Sequence, residues 1–233
     1  MAYRSSSTAN TSGTSINVPV PASAATDDIA ILCLNLDNTG HGTITQPTGF
    51  TLLFTSTVAT PDGHTQMVSW KRLTGADSGN YTPSWTGSND VIGMCALFSG
   101  RSTSSDPTAT AATNTSSNAN PVAVGAATIT AVDGDDLIWI GGLDGNAIAV
   151  GGSCAAPSGY TERQDVSDTT RNWCNLSIAT QDNVGAGATG TVTGTYTIGG
   201  GSERAGWLAH LVRIPKPAAA GAATTSTYLM MGV

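Results

Sequence analysis

The chain has 233 residues, a net charge of −7 and only 11% charged residues. That length fits one large all-β domain or two small ones. The acidic balance, with nine scattered Lys and Arg, argues against nucleic acid or an anionic membrane as partner. With 39% hydrophobic residues a core is possible but thin, and the surface must be covered by Ser, Thr, Asn and Gly. Disordered chains are usually charge-rich and poor in β-branched residues, and this one is neither.

Residues 1–15 are Ser, Thr, Asn and Gly with little to bury, and read as an extended N-terminal arm. They hold no apolar h-region, so no Sec-type signal is expected, and no apolar run is long enough to span a membrane. Ile16-Asn17-Val18-Pro19-Val20 reads as an edge strand, because each proline lacks a ladder donor. Ile29 to Leu36 is a central strand between Asp27-Asp28 and Asp37-Asn38-Thr39-Gly40. Pro47-Thr48-Gly49-Phe50 is a turn, in which Pro fixes one φ and Gly supplies a positive one. Phe50, Leu52 and Phe54 then alternate with Thr51, Leu53 and Thr55, which predicts one buried aromatic face. Val68, Trp70 and Arg72 are expected to pack, with Met67, Ser69 and Lys71 toward solvent. Tyr81, Pro83 and Trp85 follow at period two, and Val91 to Leu97 is a closing strand.

Much of this plan recurs. Pro157-Ser158-Gly159-Tyr160-Thr161 echoes Pro47-Thr48-Gly49-Phe50-Thr51, and Asp135-Asp136-Leu137-Ile138-Trp139 echoes Asp27-Asp28-Ile29-Ala30-Ile31. Ala205 to Leu211 is the second closer. The chain is therefore a degenerate repeat of about half its length, with half-repeats 16–100 and 121–215 joined by a Ser/Thr/Ala/Asn bridge, 101–120. No stretch shows capped helical periodicity. Many short strands between Gly/Pro/Asn turns predict an all-β, antiparallel β-sandwich or jelly roll over 16–215, with extended arms at both ends. Interleaved halves are the favoured arrangement, because each alone would have a thin core; two tandem immunoglobulin-like domains are the alternative. The C-terminal tail, 216–233, ends in Tyr228, Leu229, Met230, Met231 and Val233, an apolar clip on a flexible strap that reads as a docking element.

Motifs that carry chemistry elsewhere have plainer readings here. Gly185-Ala186-Gly187-Ala188-Thr189-Gly190 matches G-x-G-x-x-G, but a strand-like run follows where a dinucleotide site needs a helix, so it reads as a hairpin tip. Asp133-Gly134-Asp135-Asp136 with Asp144 offers calcium-type oxygens, yet its echo at Asp27-Asp28 makes the acidic pair a feature of the fold. His41, His64 and His210 are far apart in sequence; His64 reads as part of a turn, and His210 as outward-facing or a satisfied core residue. No nucleophile elbow activates a serine, and Glu162 and Glu203 read as loop residues rather than a glycosidase pair. Cys33 and Cys95 read as buried thiols; Cys154 and Cys174 flank the second turn, and a disulfide between them across a hairpin is the lesser reading for synthesis in a reducing cytosol. Trp139 and Trp207 read as core; Trp85 and Trp173 are the candidates for exposed glycan contact. No catalytic residue, metal site or cofactor is expected.

Several strand ends and turns form one pattern: Ala96-Leu97-Phe98-Ser99-Gly100, Asp106-Pro107, Gly134 to Ile138, Pro157 to Thr161, and Ala186 to Gly190. From about residue 16 to 214 this pattern resembles β-sandwich virion proteins of tailed bacteriophages. The bridge after the first closer, Arg101-Ser102-Thr103-Ser104-Ser105, departs from the family's usual longer form. The resemblance implies a non-enzymatic structural protein of the virion, assembled in the host cytoplasm. As a capsid decoration or cement protein it would contact the major capsid protein and neighbouring copies of itself, as a homo-oligomer, with the arms bridging subunits. The alternative is a tail or fibre component that binds host-surface glycans.

Overall fold

The computed structural model describes residues 2–37, 40–58, 63–75, 77–110, 113–117, 121–145, 153–167, 174–197 and 205–217. The fold is all-β, and its ladders are antiparallel. The first half holds β1 (Ala2–Ser15), β2 (Val18–Pro19), β3 (Ile29–Asp37), β4 (Thr51–Thr57), β5 (His64–Arg72), β6 (Asn80–Tyr81) and β7 (Ser84–Ser99). The rest holds β8 (Thr108–Ala109), β9 (Thr113–Ser117), β10 (Val122–Ala126), β11 (Thr130–Ala131), β12 (Asp135–Gly145), β13 (Ser153–Ala155), β14 (Thr161–Ser167), β15 (Asn175–Val184), β16 (Gly187–Ala188), β17 (Val192–Thr197) and β18 (Ala205–Ile214).

Two large sheets carry the chain, with orders β1-β7-β3-β5-β4 and β14-β15-β12-β18-β8, and β9 also pairs with β18. Each sheet is built by one half. Strip away β1 from one and β8 and β9 from the other, and the orders match: closer, first strand, third strand, second strand. The interleaving expected from the sequence does not occur, because no strand is exchanged between the large sheets among the described residues. Thin halves are stabilised another way. The sheets meet through a common cluster that draws Ile29, Cys33 and Phe98 from one and Ile138, Leu176 and Val212 from the other. In that contact β3 meets β12, β7 meets β15, and β5 meets β18. Equivalent strands thus trade places across the interface, as they would about a two-fold axis. Each sheet's other face is covered as well, by a cluster with Val18, Leu32 and Trp85 in one half and by one with Val124, Trp139 and Tyr196 in the other. Burial on both faces explains the unbroken apolar run of β3, where period-two alternation would be wrong.

The duplicated sequence signals make duplicated local structure. Phe50 N donates to Pro47 O over 3.1 Å and Tyr160 N to Pro157 O over 3.0 Å, and Gly49 and Gly159 have φ of 83° and 81°. β4 and β14 also carry a bulge in the same place, between Leu52 and Phe54 and between Glu162 and Gln164. Asp28 accepts from Ala25 N and Asp135 from Val132 N, three residues back in both cases. Structurally, Asp28 therefore corresponds to Asp135 and Asp27 to Gly134, one position away from the match of the two acidic pairs. The turn demands a positive φ just before the capping carboxylate: Gly134 has 84° and Asp27 has 66°.

Several local expectations are corrected. Residues 2–15, expected as an extended arm, form a strand along their own closer, from Ala2 opposite Ser99 to Ser15 opposite Ser84. The bridge adds β8 and β9 to the edge of the second sheet. The bulge breaks the alternation in β4, so Leu52 is 44% exposed while Leu53 and Phe54 both pack on the inter-sheet cluster. Met67 and Ser69 are buried along with Val68 and Trp70. His64 opens β5 and is fully buried, rather than lying in a turn.

Candidate functional site

The Pro157 turn delivers Tyr160 to the start of β14, where its ring packs on Ala131, Leu137 and Val184. Asn183 enters the left-handed region at φ 51°, with its N–H held by Asp136 Oδ1 at 2.8 Å. That kink ends β15 and sends the chain through Gly185 and Ala186 into β16, which pairs with β11. Between the turn, β15 and this hairpin lies a cavity of about 350 Å³. Its apolar floor is Leu137, Val184 and Val192; its polar groups include Ser158, Gln181, Thr189 and Thr193. None of its lining residues is charged. The Tyr160 hydroxyl is buried with no hydrogen-bond partner, and burial pushes its pKa up to about 12, so it remains a neutral donor.

At the equivalent place in the first half a ring is present. Burial alternates identically along Tyr81 to Thr86 and Val192 to Thr197, and Val18 pairs with Tyr81 as Ala126 pairs with Val192. Tyr81 therefore corresponds to Val192. Its ring packs edge-on to Phe50 at 4.8 Å, lies beneath Lys71 Nζ at 5.8 Å, and donates from its hydroxyl to Asp77 Oδ2 at 3.1 Å. In the second half the same neighbours are Tyr160, Gln181 and Ala188, and all three line the cavity. The second half has neither the ring nor the Lys71–Asp77 charge pair around it.

The residues singled out in the sequence do not converge here. Trp85, the described candidate for glycan contact, is only 5% exposed; its indole donates to Gly13 O over 3.0 Å, pinning β1 to β7. Its ring is buried in the cluster with Val18, Leu34 and Ile44, a cover drawn from distant segments that no local pattern shows. Trp173, and Tyr228, Leu229, Met230, Met231 and Val233 of the tail, lie outside the described residues. The same holds for Glu203; Glu162 sits exposed on β14. His210 is core, its ring stacked on Phe54.

The acidic pair is held by protein donors. Asp135 bonds Val132 N, Lys216 N and Arg213, and Asp136 meets Arg101 Nη1 at 2.7 Å. Desolvation pushes the Asp135 carboxyl up, but these donors together hold it below its ordinary value; at Asp136 desolvation prevails and raises it. Asp144 lies at the far end of β12, about 30 Å along the strand from Asp135, so no calcium cage forms from this set. Cys154 and Cys174 point to opposite faces of the second sheet, and no disulfide links the four cysteines. The Gly185–Gly190 run leads into β17 rather than a helix, as its sequence context requires. Its placement along the cavity has no sequence signal of its own; only comparing Tyr81 with Val192 across the repeat would have found it. Comparison with protein-family models, with curated proteins and with solved structures gives no match to this chain.

Proposed function

We propose that this chain is a non-enzymatic structural protein of a tailed-phage virion, a decoration or cement protein of the head. In this reading its two sheets stack as a face-to-face β-sandwich and its outer rims hold neighbouring copies and the major capsid protein. The observation that carries the reading is β1. It is a fourteen-residue terminal strand with a single charge, Arg4, and no proline. Natural edge strands are usually short or guarded by charge, because an open ladder recruits another chain. A long, polar edge with little charge, irregular only near its ends at Tyr3/Ser5 and Gly13/Ser15, suits regulated addition of a neighbour's strand, and its hydroxyl side chains keep it soluble when alone. The tail residues Tyr228 to Val233 serve as the second contact. The test is incubation of the purified chain, with and without residues 218–233, with heads that lack it. Binding of the full chain and weakened binding of a folded truncated chain support the reading; equal binding of both removes the tail from it, and no binding of either overturns it.

A second reading, a tail or fibre component that contacts host glycans, is favoured by the uncharged cavity beside Tyr160. Copy number separates the two: shell stoichiometry marks the head, and a small fixed number marks the tail.

A further inference from the structure

We infer that the cavity between Tyr160 and Val192 is a binding site for one neutral, hydroxylated six-membered ring, a pyranose unit of a glycan. The inference deepens the glycan-contact reading, on which it rests, and stands or falls separately from the head-decoration reading. Its template is internal. Where the second half has a cavity, the first half has the phenol ring of Tyr81, flanked by Phe50, Lys71 and Asp77. The site is thus shaped for a flat ring, and Val192 leaves that ring to be supplied from outside. At about 350 Å³ the space falls at the small end of ligand sites, which run from about 300 to 1,000 Å³.

The chemistry of the lining selects the ring. The first half's ring hydroxyl meets a carboxylate, whereas the second half has Ala188 at that position and Gln181 in place of Lys71, so neither an ionised nor a cationic ligand gains a partner. The polar residues left along the space are neutral, Ser158 beside the turn and Gln181 on β15. These groups donate and accept in several directions, which suits a ring bearing several hydroxyls more than a phenol bearing one. The aromatic ring of Tyr160 and the floor of Leu137 and Val184 supply the apolar face that a pyranose presents on one side.

The experiment is a titration of the isotope-labelled full chain with glucose, galactose, N-acetylglucosamine and rhamnose, and with p-cresol as the phenol control, read by amide chemical shifts. The expected result is saturable shifts with at least one sugar, confined to Gly185–Thr193 and the Gln181 side-chain amide. The variant V192Y rebuilds the first half's filled site and should lose binding at least tenfold, with the rest of the spectrum unchanged. Should V192Y fail to fold, Q181A on a folded chain must weaken the same binding. No saturable shift with any sugar overturns the inference, as does equal binding by a folded V192Y or, in its absence, by Q181A. Saturation by p-cresol alone overturns the pyranose assignment in favour of an aromatic ligand. Particle binding by V192Y should be unchanged, so failure here leaves the virion reading intact.

Discussion

The ring of Phe54 lies flat against the imidazole of His210, with centroids 3.4 Å apart and planes 17° from parallel. One residue belongs to β4 of the first half, the other to β18 of the second. The equivalent pair across the pseudo-two-fold is Gln164 and Met94, and there Gln164 instead accepts from Ser6 of β1 over 3.0 Å. The same bulge, used twice, thus presents an aromatic ring on one side and an amide on the other. Phe54→Ala should destabilise the chain by about 2–3 kcal/mol, the low end for aromatic truncation because Phe54 is only half-buried. Urea unfolding checks it; a loss under about 0.5 kcal/mol would show that the ring stack does not hold the halves together.

Acid should unfold the protein in a window set by two histidines. Burial lowers the pKa of His64 and of His210 from 6.5 to about 3. Both are neutral in the fold and take up a proton on unfolding below their ordinary value. Their stabilisation is whole above pH 6.5 and is lost progressively toward pH 3, at up to about 1.4 kcal/mol per pH unit for each. Asp135, held low, adds to the loss only once pH enters the carboxylate range, and Asp136, held high, opposes it. Stability measured from pH 8 to 4 should fall below 6.5 in the native chain. A folded His64→Gln/His210→Gln variant should lose that slope above the carboxylate range; a slope that persists there would contradict the assignment.

Arg101 and Asp136 form a buried pair at a position where the first half simply has Ile29. Arg101→Ala strands the Asp136 carboxylate and should cost about 3–5 kcal/mol, whereas replacing both partners by apolar residues of similar size is often neutral or stabilising by 1–4 kcal/mol. Arg101→Met with Asp136→Ile imports the first half's solution. Thermal or urea unfolding should rank the single variant well below the native chain and the double variant at or above it. A double variant as weak as the single one would show that the charge pair itself fixes how the bridge docks.

Trp139 occupies space vacated by glycine. A Cβ at Gly194 would come within 2.6 Å of its ring, and one at Gly141 within 2.2 Å. Gly194→Ala should cost about 1–3 kcal/mol by overpacking and alter the near-ultraviolet circular dichroism of the indole. An unchanged spectrum and stability would mean the ring can step aside.

What the sequence discloses here is what duplication and turn chemistry control. The Pro-x-Gly-aromatic turns, the acidic caps and the long central strands are local signals, and each forms as its residues require. The misread elements depend on distant cover. Trp85 is buried because Val18, Leu34 and Ile44 pack around it, Met67 and Ser69 because a second layer covers β5, and Leu52 is exposed because one bulge reverses the alternation. Periodicity along a strand reports how many faces are buried only if both are in view. The cavity was the least legible feature, since it is an absence: a tyrosine in one half replaced by a valine in the other.

The most direct test of the structural reading is the position of this chain in the assembled particle. Cryo-electron microscopy of purified virions should find it on the head surface in shell stoichiometry, with β1 or the tail against a neighbouring subunit. Its absence from purified particles, or its presence only as a dissociated monomer touching no capsid protein, would contradict that account.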